Sequence, residues 1–159
     1  MIKNMWNINL SYAASGITVP PDEIIEAQCK YLLELTGGKI IARVSAYKIY
    51  EENDVPNDKF VFEFYLSSLS APYYKFRVMF ISYPIEYYPV AIELDDEIAE
   101  ELGTTEGSNR DSRFRYCDKE EEFISILPNI INSKKVNKVI NSLYVIANSH
   151  ERRDGEISS

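Results

Sequence analysis

The chain predicts an α+β domain: an antiparallel sheet of four to five strands with helices packed on one face, in the order β-α-β-β-β-β-α-α-α. Three observations carry this expectation. Across residues 59–94, aromatic and branched side chains recur at every second position, the period of strands with one face in a core. Connections within that block are short, which favours antiparallel neighbours, because a parallel pair needs a long crossover. Strand-like and helix-like segments are also segregated along the chain rather than alternating.

Trp6, Ile8, Leu10 and Tyr12 alternate with Met5, Asn7, Asn9 and Ser11 and read as a short first strand, broken by residues 13–16. Pro20, Pro21, Asp22 and Glu23 form a helix start, since proline is tolerated in the first turn and early acids complement the macrodipole. Ile25, Cys29, Leu32, Leu33 and Thr36 then recur at helical spacing, and Gly37-Gly38 supplies the stop. Residues 39–50 follow as a strand, with Ile40, Ala42, Val44 and Ala46 on one parity and Arg43, Ser45 and Tyr47 on the other. Residues 51–58 are a polar turn carrying Asn, Asp and Pro.

Within the alternating block, Phe60, Phe62, Phe64 and Leu66 share one parity, and beyond a break at residues 70–72, Phe76, Val78 and Phe80 do the same. Phe60, Phe62, Phe64, Phe76, Val78 and Phe80 are assigned to the core, and Tyr65, Tyr73, Lys75 and Arg77 to the opposite face. A third run carries Tyr88, Val90, Ile92 and Leu94; Pro84 and Pro89 cannot donate to a ladder, so it is expected to be bent or at an edge. Asp95 is the expected N-cap of a short helix through Leu102, stopped by Gly103. Residues 104–115 show no period and read as a mobile loop.

Asp118 and Glu121 have the spacing of a capping box ahead of a helical face made by Phe123, Ile126, Leu127 and Ile130. Pro128 is expected to kink or split that helix. Ser133 caps a final helix in which Val136, Val139, Ile140, Leu143 and Ala147 share a face. Residues 1–149 therefore read as one domain and residues 150–159 as a flexible polar tail.

With 159 residues, 45% hydrophobic and 26% charged, the chain has the composition of a folded globular domain. Its net charge of −8 excludes the basic footprint of a generic duplex nucleic-acid binder. Two cysteines far apart and a single histidine form neither a zinc pattern nor a disulfide framework, which fits a reducing, cytoplasmic location. The chain opens without a signal-peptide pattern, and no run of roughly 18 apolar residues suggests a membrane span.

Catalytic equipment is sparse. A triad needs a positioned imidazole, and His150 is assigned to the tail. Cys29 falls on an apolar helix face, and Cys117 lies beside Asp118 and residues 120–122, whose acids oppose a thiolate. Gly37-Gly38-Lys39 runs from helix to strand, the reverse of a phosphate-binding loop. The carboxylates at residues 93–101 and 120–122 have no calcium-loop spacing, and Asp58, Glu63 and Lys75 make only a loose nuclease-like set. No cofactor and no metal ligands are expected.

Two function classes remain. The first is a non-catalytic binding protein, an inhibitor, immunity-type protein or accessory subunit, that engages a protein partner, one with a basic surface. It would use Arg43, Tyr47, Tyr65, Tyr73, Lys75 and Arg77 on the sheet with Asp96, Glu97 and Glu100 on the short helix. The second is a small-ligand or nucleotide-binding domain using Arg110, Arg113 and Arg115, whose forks suit phosphate, together with sheet tyrosines. A carboxylate-based metal-dependent hydrolase ranks last. A tyrosine-rich face or an edge strand also allows pairing of two copies.

Overall fold

A computed structural model of the chain describes residues 1–10, 18–47, 58–103 and 113–157. The end of the expected first strand, most of the 51–58 turn, and the 104–112 part of the expected loop, Arg110 included, lie outside the described residues. The elements are α1 (Pro21–Leu35), β1 (Ile40–Ala46), β2 (Lys59–Ser68), β3 (Ala71–Pro84), β4 (Val90–Leu94), α2 (Asp96–Leu102), β5 (Phe114–Cys117), α3 (Glu120–Ile131) and α4 (Lys134–Ile157). The strands form one sheet in the order β1-β2-β3-β4-β5, every neighbouring pair antiparallel. The α+β class and the antiparallel sheet are as the alternation predicts.

One face of the sheet carries the core. Ile40, Phe64, Leu66, Ile81, Val90 and Ile92 are buried there against Ile25, Phe123, Ile130, Val136 and Leu143 from the helices. α1 packs on β1, α4 crosses β1 to β3, and α2 bridges α3 and α4.

Local chemistry explains the helix ends. Gly37 and Gly38, at φ 61 and 82, turn the chain after α1, with their amides donating to the carbonyls of Glu34 (3.1 Å) and Leu33 (2.8 Å). Thr36 Oγ1 donates to the Leu32 carbonyl at 2.9 Å and accepts the Ile40 amide at 3.1 Å, tying helix end to strand start. Asp95 caps α2 by accepting from the amides of Glu97 and Ile98. Ser133 Oγ accepts from Val136 N at the start of α4.

Several elements differ from expectation. Residues 1–10 form no strand, and Trp6, Ile8 and Leu10 are 80%, 62% and 71% exposed. Alternation alone does not hold a strand; a neighbouring ladder must. The fifth strand is instead Phe114–Cys117, four residues whose period is too short to stand out and which takes the end of the expected loop. It pairs with β4, so β4 is internal rather than an edge, and Pro84 and Pro89 lie at strand ends where no ladder amide is missing.

The N-cap of α3 is Lys119, not Asp118, with Glu122 Oε2 accepting the Asp118 amide at 2.8 Å. α3 continues across Pro128 and ends at Ile131. α4 runs on to Ile157, past the boundary at residue 149, although its final turns have no core pattern. No helix among the described residues is long and apolar enough to cross a membrane.

The largest departure lies within β3. Phe64 faces Met79 but Tyr65 faces Arg77, so Val78 has no opposite number on β2. This β-bulge inverts the parity of the strand beyond it. Met79, Ile81 and Tyr83 are therefore buried in the core, while Phe80 turns to the other face. Phe60, at the strand end, is 44% exposed rather than core.

Candidate functional site

No helix of the described residues covers the second face of the sheet. The register brings Ser45, Glu63, Phe80, Glu93 and Phe114 into one row across the five strands. Arg43, Tyr65 and Arg77 make the adjacent row. Cations lie over aromatic rings along this surface: Lys75 Nζ is 4.3 Å from the centre of Tyr65 and the Arg77 guanidinium 4.2 Å from that of Phe80. Tyr47 packs on the same Phe80 ring at 4.7 Å. Each such stack contributes about 0.5–1 kcal/mol at a solvated site, and together they hold the side chains in fixed orientations.

Glu63 is the electrostatic centre of the face. Its carboxylate is almost wholly buried, and Lys75 Nζ donates to it at 2.9 Å. A desolvated carboxylate needs such a partner. Beside it a cleft of about 240 Å³ is lined by Arg77, Phe80, Glu93, Asp95, Asp96 and Arg113. Arg113 bridges the sheet to α2, with ion pairs of 3.9 Å to Glu93 and 3.6 Å to Asp96.

The residues expected to bind a partner are thus only partly brought together. Arg43, Tyr47, Tyr65, Lys75 and Arg77 share the face, and Asp96 joins them across the cleft. Tyr73 stands fully exposed near the β2–β3 hairpin. Glu97 turns instead to Lys135 of α4 at 3.0 Å, a bond that raises the pKa of that lysine, and Glu100 is exposed on α2. Phe80, Glu93 and Phe114 belong to the face but escape the sequence reading, whereas Glu63 shares the parity of Tyr65. The bulge hides Phe80, and pairing partners alone reveal Glu93 and Phe114.

Of the loop arginines, the two described, Arg113 and Arg115, do not converge. Arg115 is buried on the core side, where it donates to the carbonyls of Phe114 (3.0 Å), Ala99 (3.4 Å) and Gly103. It thereby satisfies the C-terminal end of α2, while Arg113 reaches the opposite face.

Elsewhere the reactive groups are muted. Burial, with Glu26 nearby, pushes the Cys29 thiol up to about 12, and burial with Glu122 and Asp118 pushes Cys117 up to about 11. Both thiols are therefore protonated at neutral pH. No three His, Cys, Asp or Glu side chains gather among the described residues in a way that could hold a metal ion. Asp58 precedes Glu63 by five residues along extended chain, about 16 Å at 3.3 Å per residue, too far to share an ion with it.

On the helical side, a second cavity of about 260 Å³ opens between α1 and α4 over Ala42, Phe64 and Leu66, with no charged side chain in its walls. Comparison with protein-family models, curated proteins and solved structures found no match to this chain.

Proposed function

We propose that this chain is a non-catalytic binding protein that docks a protein partner on the open face of its sheet, in an inhibitory, immunity-type or accessory role. One observation carries the reading: a sheet face that no described helix covers, on which Tyr47, Tyr65 and Phe80 are held in place by Lys75 and Arg77 around a buried Glu63. Pre-oriented aromatics lose little entropy on binding and supply the desolvated anchors of an interface. The carboxylates of Glu93, Asp95 and Asp96 at the edge of this surface, within a chain of net charge −8, favour a partner with a basic patch.

The test is affinity capture from native lysate with the wild-type chain and with Tyr65→Ala and Arg77→Glu, followed by titration of the captured protein in rising salt. A specific partner lost by both variants, with affinity falling as salt rises, supports the reading. A partner that binds all three chains equally places the interface elsewhere. A chain stabilised only by nucleotides, through preferential binding to the folded state, would favour the ligand-binding class instead.

A further inference from the structure

Charge on the open face of the sheet runs against the composition of the chain. The sequence holds 25 Asp and Glu against 17 Lys and Arg. On this face the described strands reverse that balance. Arg43, Lys59, Lys75 and Arg77 project from β1, β2 and β3, and the strand carboxylates are Glu63 and Glu93 alone. Both carboxylates are already answered, Glu63 by Lys75 at 2.9 Å and Glu93 by Arg113 at 3.9 Å.

Two cations are left over in one row. The register sets Arg43 opposite Tyr65 and Tyr65 opposite Arg77, so the arginines flank a single tyrosine across three strands. Their backbones are two strand spacings apart, about 10 Å. Both side chains are exposed. Among the described residues neither has an ion pair or a hydrogen bond; Arg77 rests on the Phe80 ring at 4.2 Å. A guanidinium without a partner offers a fork of donors that fits a carboxylate or a phosphate.

The surroundings choose between those anions. A nucleic-acid strand needs free ring faces for its bases. Here Lys75 stands over Tyr65 at 4.3 Å, and Phe80 is engaged by both Arg77 and Tyr47. A phosphate backbone crossing the sheet would also run onto Glu93, Asp95 and Asp96 at the margin. A polypeptide can change sign along its length, and a phosphodiester chain cannot.

We infer that the protein partner docked on this face seats an acidic segment, Asp or Glu side chains, on Arg43 and Arg77, while its basic patch meets Glu93 and Asp96. The inference rests on the docking reading above and adds the partner's polarity to it. Opposite signs at opposite ends of one contact favour a single orientation and penalise the reversed one.

The experiment is fluorescence anisotropy of labelled hexaglutamate titrated with the full chain at low salt. Wild type should bind the peptide despite its own net charge of −8, and added salt should weaken the binding. Arg43→Gln and Arg77→Gln should each weaken it about tenfold. Lys138→Gln, at an exposed position of α4 away from the face, should leave it unchanged. A wild type that does not bind hexaglutamate overturns the inference; a captured partner still lost by Tyr65→Ala would then leave the docking face itself standing. Equal binding by all three variants overturns it as well, because the anion site then lies elsewhere. So does a hexathymidylate that binds at least as tightly as the peptide and is lost with the same two arginines, which would make the row a nucleic-acid site. If a Gln variant fails to fold, the matching Lys variant, which keeps the charge and loses the fork, decides by binding at intermediate strength.

Discussion

Lys75 Nζ lies 2.9 Å from Glu63 Oε2, and the lysine is half-exposed while the glutamate is buried. The pair neutralises a desolvated carboxylate on the sheet face, and the same ammonium rests on Tyr65. Solvent reaches the lysine side, so the ion pair is weaker than a fully buried one.

Removing the cation alone leaves that carboxylate unpaired. Lys75→Met should lower stability by about 1–3 kcal/mol, and adding Glu63→Gln to it should recover part of the loss. Urea unfolding of the two single variants and the double variant measures the coupling; additive losses would show that the two side chains act independently.

The bulge at Val78 makes a sharp distinction between neighbours. Ile81→Ala, in the core, should cost about 2–5 kcal/mol, whereas Phe80→Ala, on the open face, should cost less and act mainly on binding. Equal losses in denaturant midpoint would contradict the inverted parity.

Arg115 holds carbonyls at the end of α2, which implies a structural role. Arg115→Met should destabilise the fold by about 2–4 kcal/mol by leaving buried carbonyls unsatisfied. Arg115→Lys should rescue only part, because one ammonium cannot reproduce the planar fork. Thermal unfolding reads both.

Alkaline pH should weaken the fold in a defined window. Cys29 and Cys117 are pushed up to about 12 and about 11 from an ordinary 9.0. Below 9.0 both folded and unfolded thiols keep their protons, and this contribution to stability is fully present. As pH rises past 9.0 the unfolded chain ionises first, so stability falls, at up to about 1.4 kcal/mol per pH unit for each thiol. The loss is complete for each once the folded thiol also ionises. Cys29→Ala should reduce the slope near pH 9.0, where Tyr83 and Tyr88, also raised from 10.0, still contribute little, by somewhat under half. An unchanged slope in a pH series of urea midpoints would reject the assignment.

The class of fold was legible because burial of one strand face writes a period of two and burial of one helix face a period of 3.6. Helix ends were legible too: Asp95, Ser133 and Gly37-Gly38 act through bonds to residues within five positions, so local sequence contains the whole interaction. Most of the candidate face was also readable, since Arg43, Tyr65, Lys75 and Arg77 precede the bulge or lie on strands without one.

Tertiary structure alone decided the rest. Phe80 and Ile81 exchanged faces because one residue of β3 found no partner on β2, a fact of pairing that periodicity cannot hold. Residues 114–117 became a strand because β4 offered them an open ladder, while residues 5–10, with the better pattern, found none within the described chain. Arg113 and Arg115, two positions apart, reach opposite faces because Arg113 lies in the turn before β5, outside the alternation that turns Arg115 to the core side. A strand's pattern is written in its own residues, but its existence and its register depend on the neighbour that satisfies its backbone.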